Sequence, residues 1–347
     1  MVPGAFTVLA LLALSASPAI GADRDADALS LGPLAPQADA GPVRDRVLDG
    51  KPRAVRRARA ASGPQAYQDQ DGHSVAVLVS MAYSNPDAAA QNLVDFLGTL
   101  LHGDEMNRLT VFLATPAEIR RDCGAGTLAC YYPADELMIV SGQEGDPRQP
   151  PREFVIAHEY GHHLAQNRRN RPWSALERGT KRWSTHEGIC RGIDRGRIRP
   201  FRYFENPGEA FAEAFAFYRF PNAIPWQWDI ARPDQGAFDA IFADVTSPWT
   251  RRTPLAWGGT LEPGQRRDVT LLRTPLDGRL RVELDAPPGV ELELRLLAAK
   301  RKRVLERAAG SGQDQEIDYT VCGKRKLRVA VRRVDGGGPF ELHASRP

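Results

Sequence analysis

The spacing of apolar positions changes character twice along the chain. Residues 23–65, rich in Ala, Asp, Arg and Pro, show neither a helical nor a strand period and specify no core, so they read as a disordered linker or pro-segment. From 74-SVAVLVSM-81 a continuous apolar run marks a buried strand. Apolar positions between Asp87 and His102 then recur at helical spacing, and 109-LTVFLA-114 is a second strand. The stretch 129-ACYYPADELMIVSG-142 predicts a strand, a turn at Pro133 to Asp135, and a strand through Met138, Ile139 and Val140.

A helix is expected from about Pro151, where Pro suits the first turn, through 154-FVIAHEYGHHLAQ-166. A second follows Asn206-Pro207, a capping residue and a first-turn proline, and runs through 209-EAFAEAFAFYRF-220. A third lies around Gln235 to Val245. Residues 171–205, Arg- and Gly-rich, predict no regular element.

Beyond about Pro254 the period becomes two. Leu280, Val282 and Leu284 alternate with Arg281 and Glu283, and Val290, Leu292, Leu294 and Leu296 with Glu291, Glu293 and Arg295. Ile317, Tyr319 and Val321 continue the pattern. Strands of this spacing, separated by Gly and Pro turns, predict a small antiparallel β-sandwich. The fold class expected is α+β, with a signal peptide at 1–22, a linker at 23–65, a mixed helix-and-strand domain at 66–253 and a sandwich at 254–347.

Residues 5–22, AFTVLALLALSASPAIGA, have the shape of a secretory signal peptide, and the apolar core Phe6 to Leu14 is too short to span a bilayer. An exported chain lives in an oxidising compartment, so its four cysteines are expected in disulfides. Cys123 with Cys130 looks like a local hairpin staple, leaving Cys190 with Cys322. The 46 basic and 43 acidic residues nearly cancel to +3, a balanced surface. Basic runs at 300-KRKR-303 and 324-KRK-326 follow from an Arg-rich composition, and no nucleic-acid partner is expected.

The chemistry concentrates in H-E-x-x-H. Three of the seven histidines fall within six residues of one helix. His158 and His162, four apart, share a helix face and can approach one metal, while Glu159 projects about 100° around the helix beside it. Two imidazoles and one carboxylate holding zinc leave a fourth position for water, whose pKa falls from about 15.7 to about 7, with the Glu as general base. Arg168 and Ala165 stand where a metzincin extension requires His and Gly. Glu177 and Glu187 sit in polar surroundings as ordinary exposed acids. His163 faces away from the ligand pair, towards the surface or a supporting layer, and His186 is not placed by the sequence.

The third ligand is expected from 205-ENPGEAFAEAFAFYRF-220. Ala and aromatic residues surround Glu213 on every side, and Glu209 lies one turn earlier on its face. An all-round apolar helix is buried, and two stacked carboxylates in it need compensation from a cation or hydrogen-bond donors.

These two motifs, H-E-x-x-H and N-P-x-E-x-F-A-E-x-F, resemble the gluzincin metallopeptidases, especially the branch resembling the lethal-factor catalytic domain. The resemblance implies a zincin-like fold, Zn2+ bound by His158, His162 and Glu209, and Glu213 supporting a ligand histidine. It also implies an oxyanion-stabilising tyrosine near Tyr203, where a buried structural tyrosine explains the residue equally. The strand Leu137–Val140 would form the sheet edge on which an extended substrate lies, where an ordinary hairpin strand explains the same residues equally. The segments G-T-L-x-P-G (259–264), G-x-L-x-V-x-L (278–284) and G-K-x-K-L-R-V-A-V (323–331) resemble the bacterial pre-peptidase C-terminal domain, which implies docking to an envelope or extracellular surface.

The expectation is a secreted or periplasmic bacterial hydrolase, a zinc metalloprotease acting on protein or peptide. Two alternatives stay open: a noncatalytic secreted binding protein with a structural zinc, and a hydrolase of nonpeptide amides.

Overall fold

The computed structural model describes residues 29–50, 63–300, 303–308 and 314–347. The expected signal peptide lies outside them. No helix among the described residues is long and apolar enough to cross a membrane.

The N-terminal part is a five-stranded sheet of β1 (Gln65–Gln68), β2 (Ser74–Val79), β3 (Thr110–Leu113), β4 (Cys130–Tyr132) and β5 (Leu137–Val140), in spatial order β1-β2-β3-β5-β4. β2, β3 and β5 run parallel, while β1 and β4 pair antiparallel at the two sides. The expectation of an edge at Leu137–Val140 is therefore corrected. β5 is flanked by β3 and β4 and buried at all four residues, as its unbroken apolar run demands.

Helix α1 (Pro86–Gly98), capped by Asn85, and α2 (Pro116–Asp122), with a Thr115–Glu118 capping box, connect the strands. The Cys123–Cys130 disulfide joins the end of α2 to the start of β4. It closes a helix-to-strand connection, where a hairpin was expected.

Helix α3 (Arg152–Gln166) is buried from Arg152 to Ala165. After the short pair β6 (Arg169–Asn170) and β7 (Trp173–Ser174) come α4 (Ala175–Arg178), α5 (Lys181–Glu187) and α6 (Ile189–Asp194), in a stretch where no regular element was expected. Their support is tertiary. Trp183 is buried against Phe211, at 5.3 Å between ring centroids. The Asp244 carboxylate accepts from the N–H groups of Arg182 (2.8 Å) and Trp183 (3.2 Å).

Helix α7 (Pro207–Arg219), capped by Asn206, is buried from Pro207 to Phe217 and packs on α3, and α8 (Gln235–Thr246) lies beside α5. At the crossing, a Cβ added to Gly161 would stand 2.8 Å from the Ala212 Cα. The missing side chain of Gly161 allows this approach.

The C-terminal part is an antiparallel sandwich of β8 (Thr253–Leu261), β9 (Arg267–Thr274), β10 (Gly278–Asp285), β11 (Glu291–Ala298), β12 (Val304–Arg307), β13 (Gln315–Val321), β14 (Arg325–Asp335) and β15 (Gly338–Arg346). Its sheets have the orders β13-β10-β15-β8 and β12-β11-β14-β9. Leu280, Val282, Leu284, Leu292, Leu294 and Leu296 face one core, as their period-two spacing requires. The Cys190–Cys322 disulfide joins α6 to the turn after β13. The whole is a mixed α and β molecule with a separate antiparallel layer pair, and its two disulfides are those of an extracellular or periplasmic protein.

The disorder expected for residues 23–65 does not hold for 29–50. Ala40, Val43 and Asp45 are buried, and residues 44–48 lie alongside the outer edge of β4. There Tyr131 N–H donates to the Arg46 carbonyl (3.0 Å), and the Tyr131 carbonyl accepts from Leu48 N–H (2.9 Å). Short polar stretches of this kind lack apolar periodicity because backbone hydrogen bonds to a neighbour hold them.

Candidate metal centre

Four side chains from three segments meet in one buried place: Asp45, His158, His162 and Glu209. Helix spacing sets the first pairing, with His158 and His162 one turn apart on α3. The α3–α7 contact at Gly161 and Ala212 falls between the two histidines and between Glu209 and Glu213, bringing the pairs face to face.

His158 Nε2 lies 3.6 Å from Glu209 Oε2 and 3.7 Å from Asp45 Oδ2, and His162 Nε2 lies 3.4 and 3.1 Å from the same two oxygens. Donor atoms set tetrahedrally at bonds of about 2.0–2.2 Å would be separated by about 3.3–3.6 Å. The four separations, 3.1–3.7 Å, bracket that range, and all four donor atoms lie within 4.8 Å of one another, close enough to share one small ion. His158 Nε2 and Glu209 Oε2 are buried without a hydrogen-bond partner, which a metal would remedy.

Electrostatics make the same demand. Burial works against charge on His162, yet Glu209 and Asp45 outweigh it and raise the imidazole to about 10. His158 is likewise raised against burial, chiefly by Asp45. For Asp45, too, burial opposes charge, and the two imidazoles prevail to hold its carboxyl far below the usual range. The carboxylates of Asp45 and Glu209 bring two formal negative charges into one buried place. A dication balances them and leaves both imidazoles neutral, as ligation requires.

Glu213 is fully buried, and its Oε2 lies 3.0 Å from His158 Nδ1, which fixes the ring so that Nε2 faces the cluster. Glu159 is fully buried with neither carboxylate oxygen hydrogen-bonded; burial first, then the nearby Asp45 charge, raises its pKa well above the ordinary value. Tyr203, in a 3₁₀ turn (Tyr203–Glu205), places its hydroxyl between the Val43 carbonyl and Asp45 Oδ1, the latter at 3.3 Å.

His163 is neither a ligand nor a surface residue. It is buried, with Nδ1 3.0 Å from the Tyr131 hydroxyl and Nε2 2.8 Å from the Glu105 carbonyl, and burial pushes its pKa down to about 4. His186 meets Asp234 (2.8 Å), and Glu177 is exposed as expected, but Glu187 is half-buried, and burial pushes its pKa up to about 7. A second trio, Asp69, His73 and His102, lies elsewhere and is partly open to solvent. The basic runs of the sandwich come together: Lys300, Arg303, Lys324, Arg325 and Lys326 line one cavity.

Asp45 escaped sequence reasoning. In 44-RDR-46 it looks like a solvated acid between two arginines, and its partners are more than a hundred residues away.

The class of site is thus a buried histidine–carboxylate cluster able to bind a metal ion, in an α+β protein carrying a β-sandwich. No protein-family model and no curated protein matches the chain. Among solved structures it is similar to the pre-peptidase C-terminal domain of collagenase from Bacillus anthracis, at 17% identity and TM-score 0.24, over 26% of this chain and 87% of that one. It is also similar to PliG of Aeromonas hydrophila, a periplasmic inhibitor of g-type lysozyme (12% identity, TM-score 0.22, 27% and 85% covered). A third is the Yersinia pseudotuberculosis-derived mitogen (12%, TM-score 0.23, 28% and 87% covered).

Proposed function

We propose that the chain is an exported zinc-dependent metallopeptidase of gluzincin type, with a zincin-like catalytic domain. The observation carrying this reading is the convergence of His158, His162 and Glu209 beside a buried Glu159 with both oxygens free. His158, His162 and Glu209 hold the ion, and Glu213 keeps the His158 ring oriented through Nδ1. Zinc, when bound, polarises the scissile carbonyl and acidifies water. Glu159 takes the water proton and returns it to the leaving amine. Tyr203 is positioned to donate a hydrogen bond to the oxyanion once its hydroxyl is free of Val43 and Asp45. The substrate is protein or peptide, and the sandwich docks to an envelope or extracellular surface, with its basic cavity facing anionic groups.

The filled fourth corner favours a second reading, since structural zinc sites are closed by protein ligands. A noncatalytic secreted protein would have that arrangement. Zinc analysis of the purified chain, with casein and peptide-library assays of wild type and Glu159→Gln, separates the two. The peptidase reading expects one zinc per chain in both proteins and a loss of hydrolysis of about 10²–10⁴-fold in Glu159→Gln. Bound zinc with no Glu159-dependent hydrolysis, in wild type and Asp45→Ala alike, would leave the structural site.

A further inference from the structure

Asp45 completes the cluster, but it belongs to a different kind of structure from the other three ligands. His158, His162 and Glu209 sit on two tightly packed helices. Asp45 sits on an extended segment that crosses the site and is held at both flanks. On one side Leu128 N–H donates to the Arg44 carbonyl (2.7 Å), and Tyr131 bonds Arg46 and Leu48 along the edge of β4. On the other, Gln37 N–H donates to the Ala223 carbonyl (2.8 Å) and Gln227 Nε2 to the Ala40 carbonyl (3.0 Å). Val43 is completely buried and Ala40 nearly so.

The consequence is an inaccessible site. His158, Glu159 and His162 have no exposed surface, and Glu209 only 6%. A hydrolytic centre keeps one coordination position for water and an open edge for substrate. Here a carboxylate stands in that position, and residues 44–48 occupy the backbone groups of β4 that an extended substrate would use. The Tyr203 hydroxyl is turned to the same segment.

We propose that residues 40–48 form an inhibitory strap, with Asp45 as a displaceable fourth metal ligand that keeps the centre latent until the segment is withdrawn. This rests on the peptidase reading. With the strap in place the competent population is small, so ligand affinity is reduced in proportion to the open fraction. Withdrawal uncovers the fourth position, the β4 edge and the Tyr203 hydroxyl together.

The test uses the full zinc-loaded chain with acetohydroxamate, a small metal-binding probe, in calorimetry beside zinc analysis and casein cleavage. Two variants act differently: Asp45→Ala removes the ligand, and Val43→Asp dislodges the strap while keeping it. Both are expected to retain one zinc and to bind acetohydroxamate about tenfold or more tightly than wild type, with a matching rise in cleavage. Loss of zinc in Asp45→Ala would make Asp45 a permanent ligand and overturn the strap. So would equal acetohydroxamate binding by wild type and both variants. Tighter acetohydroxamate binding without casein or peptide cleavage would support the strap and overturn the peptidase.

Discussion

Asp45 with His158, His162 and Glu209, and Asp69 with His73 and His102, are both clusters of carboxylate and imidazole, yet their carboxylates find partners differently. Asp69 is satisfied by its own turn: Oδ1 accepts from the N–H groups of Asp71 (3.0 Å) and His73 (2.8 Å), and Oδ2 lies 3.2 Å from His73 Nδ1. His73 and His102 pack edge to face at 4.6 Å and keep some exposure. Around Asp45, by contrast, the donors come from three separate segments, are almost wholly buried, and include an orphaned carboxylate oxygen, Glu209 Oε2, beside orphaned imidazole nitrogens, whereas in the trio it is His102 Nδ1 that lacks a partner. Residue types alone therefore do not define a metal centre. The distinguishing property is a convergence of buried donors from separate segments in which a carboxylate oxygen, too, is left unfilled.

The sharpest test of that contrast is metal occupancy. His158→Ala, His162→Ala and Glu209→Ala should each abolish stoichiometric zinc measured by atomic emission, whereas His73→Ala and His102→Ala should leave one zinc per chain. A second zinc lost on His73→Ala would collapse the distinction. Next in size, Glu213→Ala should weaken zinc affinity by about 10–100-fold in competition with a chelator, because the His158 ring loses its orienting acceptor.

Gly161→Ala should cost about 1–3 kcal/mol in urea unfolding, since the new methyl meets Ala212. Its effect on zinc affinity should exceed that of any Asp69 variant.

The smallest effect belongs to the turn. Asp69→Ala should cost about 1–2 kcal/mol with zinc unchanged, as the loss of a capping carboxylate does. Burial opposes ionisation of Asp69, but the His73 N–H and ring outweigh it and lower its pKa. A lowered acid pKa stabilises the fold at pH values above its unfolded value near 4 and loses that contribution as pH falls through the folded value. Wild type should thus lose stability below about pH 4 more steeply than Asp69→Asn, read from melting temperatures across pH 2–6.

Much of the centre is written locally in the chain. His158 and His162 are legible because a helix places residues four apart on one face, and Glu209 and Glu213 because acids inside an otherwise apolar helix need compensation. The sandwich is legible because one face of each strand is buried. Asp45 is not, since its role depends on where β4 and α3 lie relative to a segment with no periodicity. The helices α4–α6 escaped for a related reason: each is short, and α5 begins at N–H groups capped by Asp244, which lies about sixty residues later in the chain.

The Cys190–Cys322 bond spans a sequence separation of 132 residues, from α6 across the junction before β8 to the turn after β13. A single peptide-bond cut anywhere between the two cysteines leaves both fragments covalently joined. Shedding the sandwich from the rest of the chain therefore requires a reductant as well as a protease, and a nicked chain keeps its sandwich wherever the surroundings stay oxidising.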